Sequence, residues 1–449
     1  TETTCWSSIW RTDDKVADYF AIHGRPEAYK KLDPADVAYY DGLVYVDLAT
    51  VEPTIAMPFH PSNTYTIAEL RAHPQDIIAA VTDAGRKQFE NAKFEFALDK
   101  KIKNGEIYVD QGLVAGCSGG TFDNVCAVAD ILDGQSVGNG SFTMSVYPGS
   151  QPAYLELVKN GAIQKIVSAG AIIRECFCGP CFGAGDTPAN QEFSIRHTTR
   201  NFPNREGSKP GEGQFASVAL MDARSIAATA AAGGLLTGAD ELDVEYRTPD
   251  YKFDTSIYEN RVWFGYGKAD KNAELKFGPN IKDWPKMPAL GDNLVLGVAS
   301  VIDDEVTTTD ELIPSGESSS YRSNPFRLSR LTLSRRDPEY VNRADAIHAA
   351  AQNYAGEEYD PALLDQNAVA AMEAAIAACG KLEGSVSIGS LVCAVRPGDG
   401  SAREQAASCQ RVLGGAANIA RDYATKRYRS NLINWGMLPL ICPEMAMGK

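Results

Sequence analysis

Three cysteines stand in two turns of small residues, where their thiolates could bind a metal. Cys178 and Cys181 form a C-x-x-C whose middle residues, glycine and proline, force a tight turn. Cys117 lies far upstream in a second turn, Gly116–Gly120, at the end of an apolar run. A pair of thiolates with one distant thiolate suits an iron–sulfur cube with an open corner, whereas a closed structural zinc site would need a fourth ligand.

The cysteines taken alone leave other interpretations open. A C-x-x-C can also be a zinc hairpin or a redox pair. Cys176 is near enough in sequence to be a further ligand. The histidines form no metal-ligand pair in the sequence; they are His23, His60, His73, His197 and His348.

Two arginines and a serine could handle an organic acid. Arg200 and Arg205 share a loop rich in asparagine and proline, and guanidinium groups bind carboxylates through paired hydrogen bonds. Ser401 follows two glycines in a loop that permits close backbone approach to a ligand. The alternatives are solvated surface arginines and a serine that caps the helix after it.

Taken together, these motifs resemble the aconitase superfamily. Cys178–Gly183 resembles its C-G-P-C-[IF]-G, and the turn at Cys117 resembles that of its third cluster ligand. Arg200–Arg205 resembles R-N-F-x-G-R, and Gly398–Glu404 resembles G-[ED]-G-S-S-R-E. The motifs follow the family's order across nearly the whole chain.

The resemblance implies a hydro-lyase that uses a 4Fe-4S cluster as a Lewis acid on a hydroxylated di- or tricarboxylic acid. Cys176 is outside the family pattern, so we expect it to be a bystander. The residues implied are Cys117, Cys178 and Cys181 as metal ligands; Arg200, Arg205, Arg403 and, by a weaker match, Arg322 as substrate-binding residues; and Ser401 as the catalytic base.

Some positions depart from the family pattern. Thr199 stands where the family has asparagine, and Ala402 replaces the second serine of the loop. Gln405 replaces a common histidine. These changes indicate a different substrate or a divergent subfamily, with the base retained.

The resemblance also implies an α/β fold: aconitase-like three-layer α/β domains and a C-terminal swivel domain of mixed β/α structure. The expected divisions are 1–75 for the remainder of the second domain, 76–245 for the cluster-binding domain, 246–285 for a linker and 286–449 for the swivel domain. The family's first domain has no counterpart here. We therefore expect it to be supplied in cis or as a separate chain.

Strands that lead into loops should position these residues. Strands alternating with helices indicate a sheet with its site at the carboxyl edge. The predicted strands include Leu113–Ala115, Ala171–Ile173 and Leu391–Val395, which precede the reactive loops, and also Gly42–Leu48; the predicted helices include Pro74–Arg86, Lys87–Lys103, Ser217–Ala232 and Arg403–Leu413.

Composition limits the class of protein. The net charge of −15 argues against nucleic acid as a partner, and no apolar run approaches the roughly 20 residues of a membrane helix. Ten cysteines without disulfide-dense spacing favour a reducing compartment, so we expect a cytoplasmic protein. The rival hypotheses are an iron-sensing, RNA-binding relative and a zinc-stabilised, non-catalytic subunit.

Overall fold

The computed structural model describes residues 7–89, 95–209, 213–247 and 249–447. The chain divides into two compact units, an N-terminal unit of Ser8–Lys271 and a C-terminal unit that begins at Asn272. The break falls inside the segment 246–285. No helix in the described ranges is long and apolar enough to cross a membrane.

The described part of the N-terminal unit alternates strands with helices over much of its length. Its strands are β1 (Thr54–Ala56), β2 (Thr64–Thr66), β3 (Ile102–Lys103), β4 (Glu106–Ile107), β5 (Gln111–Val114), β6 (Thr143–Val146), β7 (Ile172–Ile173), β8 (Phe193–His197) and β9 (Ser217–Met221). Its helices are α1 (Asp14–Ile22), α2 (Ile67–Ala72), α3 (Pro74–Gln88), α4 (Gly116–Gly119), α5 (Phe122–Leu132), α6 (Gln151–Lys159), α7 (Ala162–Ser168), α8 (Ala223–Ala231) and α9 (Ser256–Arg261).

Seven of these strands form one sheet in the order β2-β1-β9-β8-β5-β6-β7. The strands from β9 to β7 are parallel, and β1 and β2 extend the sheet in antiparallel fashion. From the central strand β5 the chain proceeds to β6 and β7 on one side and returns as β8 and β9 on the other. Ligands of such sheets bind at the carboxyl ends where the strand order reverses, here between β5 and β8.

Helices α5 and α8 pack together, and α8 covers β5. Helix α5 begins at a genuine cap, because the Thr121 hydroxyl accepts a hydrogen bond from the Asn124 N–H at 3.4 Å. Val125, Val128 and Leu132 recur at helical spacing and are fully buried. Burial of each contributes about 1.5–3 kcal/mol of stability, so these side chains anchor α5 in the hydrophobic core of the N-terminal unit.

The C-terminal unit has its own parallel sheet, ordered β10-β12-β14-β15, and a short parallel pair, β11-β13. The described strands are β10 (Asn293–Ile302), β11 (Thr307–Thr308), β12 (Val386–Ala394), β13 (Pro397–Asp399), β14 (Gly415–Ala420) and β15 (Leu438–Ile441). The described helices are α10 (Thr309–Leu312), α11 (Ser315–Ser318), α12 (Pro325–Ser329), α13 (Tyr340–Ala355), α14 (Gln366–Ala378), α15 (Arg403–Val412) and α16 (Lys426–Asn434).

The α/β class is confirmed, and β5, β7 and β12 occupy the predicted strand positions. The single helix predicted for Ser217–Ala232 is wrong. Its first part is strand β9, which pairs with β8. Asp222 then caps α8 by accepting hydrogen bonds from the N–H groups of Arg224 at 2.9 Å and Ser225 at 3.0 Å.

Two other predicted elements are wrong. Gly42–Leu48 forms no strand, and Leu43 is 90% exposed. No strand in the described part of the chain pairs with this segment, so an extended backbone here would gain no sheet hydrogen bonds. The predicted helix over Lys87–Lys103 ends with α3 at Gln88 and gives way at Leu98 to a 3₁₀ turn and then β3. Residues 90–94 of that prediction lie outside the described residues.

Candidate active site

The Cys117 turn follows directly on the central strand. Strand β5 ends at Val114, and the single turn α4 then presents an exposed Cys117. Gly116 adopts the left-handed region with φ +73°, and a Cβ on it would lie 3.1 Å from the Cys181 Sγ. The second cysteine turn therefore lies directly against the first.

The C-x-x-C turn follows strand β7 and is a short 3₁₀ helix, Gly179–Cys181. The Cys181 N–H donates to the Cys178 carbonyl at 3.0 Å, which closes the turn. Cys178 is exposed and Cys181 is half-buried. The chain thus delivers both sulfurs from one rigid turn at the carboxyl edge of the sheet.

The electrostatics of Cys181 join this turn to its neighbours. Burial raises the pKa of the Cys181 thiol, and the negative charges of Cys178 and Cys117 raise it further. The Thr199 N–H, which donates to the sulfur, and the Arg205 guanidinium lower the same pKa. Two further thiols, an arginine and a main-chain donor therefore lie close enough to Cys181 to act on it.

The three thiols suit a cluster better than a single ion. Among the described residues no group of three or more His, Cys, Asp or Glu side chains is arranged to hold one metal ion. A tetrahedral zinc site requires four donors around one point, whereas each thiolate of an iron–sulfur cube can bind a different iron. By the chemistry of the donor set, Cys117, Cys178 and Cys181 are thiols of the kind that could each bind one iron of such a cluster.

Cys176 belongs to a different environment. Burial, with a contribution from Glu175, raises the pKa of Cys176 to about 11, and Arg261 opposes the shift. The charged groups that shift the pKa of Cys176 therefore differ from those that shift the pKa of Cys181. The bystander role of Cys176 stays a prediction.

The arginine segment begins where strand β8 ends. Arg200 and Arg205 are both half-buried. Between them, the Asn201 side chain donates to the carbonyls of Ala56 at 3.1 Å and Met57 at 2.9 Å, which ties the segment to β1. The buried Oδ1 of the same amide accepts no hydrogen bond from the part of the chain that the structure describes.

The arginine segment and the cysteine loop touch through their main chains. A Cβ on Gly183 would lie 2.6 Å from the Gly207 Cα and 2.7 Å from its N. Both positions lack a side chain, so the two segments approach as closely as backbones can. The structure therefore brings Arg205 beside the cysteines, as the sequence predicts for a site at this edge.

A fully buried arginine beneath the cysteine loop is absent from the sequence-based prediction. Arg196, on β8, donates through Nε to Ser194 Oγ at 2.9 Å and through Nη1 to the Pro180 carbonyl at 3.0 Å. Its Nη2 donates to Gln111 Oε1 at 3.0 Å and to the Asp186 carbonyl at 2.7 Å. Polar residues within the otherwise apolar sequence of a strand are the signal that could have revealed this network.

The far end of the cysteine loop has a second anchor. The Tyr147 hydroxyl donates to Asp186 Oδ2 at 2.6 Å, and Arg174 donates to Oδ1 at 2.9 Å. Burial and the Asp186 carboxylate raise the pKa of Tyr147, so the phenol stays protonated and remains a donor. Arg196 thus holds the loop through two main-chain carbonyls. Tyr147 and Arg174 hold it through the Asp186 carboxylate.

The predicted base lies in the C-terminal unit, between β13 and α15. Ser401 is half-buried, and the helix cap is Ala402, so the interpretation of Ser401 as a helix cap is wrong. The Ala402 N–H donates to Thr309 Oγ1 at 3.2 Å, and a Cβ on Gly400 would overlap that hydroxyl. Thr309 therefore supports the loop directly behind the serine.

The two predicted arginines of the C-terminal unit differ in environment. Arg403 is the first residue of α15 and is only 6% exposed. Arg322 is exposed and follows a 3₁₀ turn that ends at Tyr321. Arg403 therefore shares a loop–helix junction with Ser401, while Arg322 lies on a separate segment.

The doubly wound sheet, with its cysteine and arginine loops at the carboxyl edge, defines an α/β protein. The profile of the Aconitase family, described as aconitate hydratase, matches residues 1–228, and that of the aconitase C-terminal domain matches residues 390–445. The first match covers just over half of the chain. The chain belongs to the aconitase family.

Similar curated proteins are large subunits of 3-isopropylmalate dehydratase. That of Clostridioides difficile is 30% identical over 224 residues, which cover 49% of this chain and 45% of the relative. That of Clostridium botulinum is 28% identical over 221 residues, which cover 49% of this chain and 44% of the relative. The chain thus spans about half the length of the curated relatives it matches.

Among solved structures, a 3-isopropylmalate dehydratase from Methanocaldococcus jannaschii is 20% identical. The match covers 35% of this chain and 66% of that one, with a TM-score of 0.19. At that score the likeness carries no argument about this protein.

Proposed function

We propose that this chain carries the cluster and part of the substrate site of a hydro-lyase that acts on a hydroxylated di- or tricarboxylic acid. The observation that supports this most directly is the convergence of Cys117, Cys178, Cys181 and Arg205 at one edge of the sheet. Membership of the aconitase family and similarity to dehydratase large subunits support the same reaction class.

The three cysteines would hold a 4Fe-4S cluster, which when bound supplies a Lewis-acidic iron for the substrate hydroxyl. Arg200 and Arg205 would bind substrate carboxylates through paired hydrogen bonds. The arginine segment begins after β8 and lies beside the cysteine loop. Arg200 and Arg205 would therefore orient an acid whose hydroxyl the cluster would bind.

The C-terminal unit supplies the remaining roles in this proposal. The Ser401 hydroxyl would remove the proton α to a carboxylate, with Arg403 and Arg322 as further carboxylate partners. Support for Ser401 as the base comes from the sequence motif Gly398–Ser401 and from the match of the C-terminal domain family over this loop. Thr309 would hold the loop while the proton is transferred.

The substrate class in this proposal is limited by the positions that depart from the family motifs. The partners are inferred from the share of the relatives that the chain matches. Thr199 and Ala402 both differ from the family pattern, so the proposal names a class of acid and no single compound. Since the match covers only about half of the length of those relatives, the remaining part of the site would be supplied in cis or by a separate chain. We propose that the assembled enzyme works in the cytoplasm.

Iron and acid-labile sulfide per chain after strictly anaerobic purification test the cofactor. We expect about four of each, with one iron lost readily in air, as an open corner requires. Zinc without sulfide would favour a structural metal and overturn the cluster. No metal after anaerobic reconstitution would overturn it as well.

The base is tested separately in the assembled enzyme. Ser401→Ala should lower kcat by roughly 10²–10⁴-fold, the usual contribution of a general base, while the iron and sulfide content stays unchanged. Ser430→Ala, on α16 of the same unit, is the matched control and should leave kcat as it is. An unchanged kcat in Ser401→Ala would remove the serine from the mechanism.

A further inference from the structure

We propose that Arg196 is a positioning residue that fixes the C-x-x-C turn in register with Cys117. The inference rests on the proposed function insofar as the cysteines hold a cluster, but the contacts that carry it belong to the chain alone. No family motif that we identify in the sequence includes this arginine.

The guanidinium holds the cysteine loop at two main-chain points. It donates to the carbonyl of Pro180 at 3.0 Å, immediately before Cys181, and to that of Asp186 at 2.7 Å, after it. A planar fork with donors fixed in direction can hold two carbonyls at once, which a lysine ammonium does less well. The segment between the two carbonyls contains Cys181 and is therefore fixed at both ends.

The same arginine is anchored to the strand that leads to Cys117. Its Nη2 also donates to Gln111 Oε1 at 3.0 Å, and Gln111 is the first residue of β5. Gln111 in turn donates to the Asp186 carbonyl at 3.3 Å and accepts from Ser194 Oγ at 2.7 Å. The network therefore connects the cysteine loop with both central strands of the sheet.

The acceptors of Arg196 are all neutral, and the described residues form no ion pair with it. A fully buried cation without a contacting anion is costly. Burial lowers the pKa of Arg196, while the charges of Glu206, Asp186 and Cys181 raise it. An anionic cluster on Cys181 would add compensating charge on that side.

Arg174 provides a matched comparison on the same loop. It also reaches Asp186, but through the carboxylate, and its side chain is 43% exposed. Exposed ion pairs contribute little, whereas a hydrogen bond from a buried charged donor contributes more. If position in the fold matters, replacing Arg196 should have a much larger local effect than replacing Arg174.

The test compares Arg196→Met, Arg196→Lys and Arg174→Met with the unmodified chain. Without metal, amide hydrogen exchange in residues 178–186 should be at least tenfold faster in Arg196→Met, a loss of roughly one charged hydrogen bond, and should increase far less in Arg174→Met, which loses only an exposed ion pair. After anaerobic reconstitution, loss of iron to a chelator should accelerate by at least tenfold in Arg196→Met and Arg196→Lys.

The reduction potential separates charge from position. Arg196→Met should shift the midpoint potential of the cluster to more negative values, because a nearby cation favours the reduced form. Arg196→Lys should keep the potential close to that of the unmodified chain while losing iron faster. A role limited to general stability would not produce this split.

The outcomes distinguish this inference from the proposed function. An unmodified chain that takes up no iron or sulfide would overturn the function, and the exchange measurement would still decide whether Arg196 holds the loop. Equal exchange in Arg196→Met and the unmodified chain, or faster exchange spread evenly over the N-terminal unit, would overturn the inference. If Arg196→Met does not fold, Ser194→Ala removes one partner and should show the same local change at smaller size.

Discussion

The cysteine site and the serine loop are built in opposite ways. The cysteine site gathers segments from around Cys117, Cys181 and Arg205, which are far apart in sequence and meet at the ends of parallel strands. The serine loop is a single local turn between β13 and α15, supported by side chains that pack against its glycines.

The forces that hold the two regions differ accordingly. Charged donors, Arg196 and Arg174, hold the cysteine loop by its carbonyls and by a carboxylate. Close packing holds the serine loop, where Tyr428 and Thr309 occupy the space that side chains at 398 and 400 would need. We therefore expect substitutions in the first region to change how well the proposed cluster is bound and those in the second to change the free energy of unfolding.

The largest expected effect is the loss of the cluster in Cys181→Ser. Removing one of three thiolate ligands should reduce bound iron and sulfide to a small fraction of the unmodified value, while the free energy of unfolding of the metal-free chain changes little. Cys176→Ser, the control on the same loop, should retain full content. A Cys176→Ser chain that also lost its cluster would place this sulfur inside the site.

Gly398→Ala should be the most damaging change for stability in the serine loop. Gly398 has φ +97°, and an added Cβ would overlap the buried Tyr428 ring, so we expect a loss of about 3 kcal/mol in the free energy of unfolding. Gly436→Ala is the matched control, since Gly436 also has positive φ but open space around it, and should cost only about 1 kcal/mol. Urea denaturation measures both, and equal losses would show that packing does not hold the loop.

Tyr428→Phe tests the support beneath the same loop. The buried Tyr428 hydroxyl accepts hydrogen bonds from Gln410 Nε2 and Asn418 Nδ2, each at 2.9 Å. Two buried donors left unpaired should lower the free energy of unfolding by about 2 kcal/mol. Tyr423→Phe removes a single donor to the Asn418 carbonyl and should cost about half as much; the reverse order would contradict this account.

The smallest expected effect concerns acidity in the C-terminal unit. Burial lowers the pKa of His348, Arg411 lowers it further, and Asp345 and Glu357 oppose the shift. The unfolded chain therefore takes up this proton at a higher pH than the folded chain, so stability is complete above the ordinary histidine pKa and falls as pH decreases through it. His348→Gln should reduce this slope by at most about 1.4 kcal/mol per pH unit; chemical denaturation between pH 7 and 5 measures it, and an unchanged slope would contradict the prediction.

The same contrast explains what the sequence could predict. The cysteine turns and the serine loop are short local sequence motifs. The sequence alone is therefore enough to place Cys117, Cys181 and Ser401 after strands. The convergence of Arg205 with the cysteines depends on the strand order of the sheet, which periodicity could not predict. The family resemblance implied that these residues share a site, without giving that order.

Elements whose conformation depends on partners distant in sequence were harder to predict from the sequence. Ser217–Met221 reads as the start of an alanine-rich helix, and it becomes a strand because β8 offers it hydrogen bonds. Gly42–Leu48 has the apolar, valine-rich composition of a strand, but no strand among the described residues pairs with it. Arg196 was missed for a related reason, since a charged residue in a strand indicates an exposed face unless its buried acceptors are known.

The contact between Gly183 and Gly207 has an evolutionary consequence. Each glycine occupies the space that a side chain on the other would need, so a substitution at either position meets the backbone of the other segment. No exchange at the second position can make room for a side chain at the first, because the obstacle is main chain. We infer that selection for a working site keeps glycine at both positions together. The short distance between the arginine segment and the cysteine loop is then conserved along with the pair of glycines.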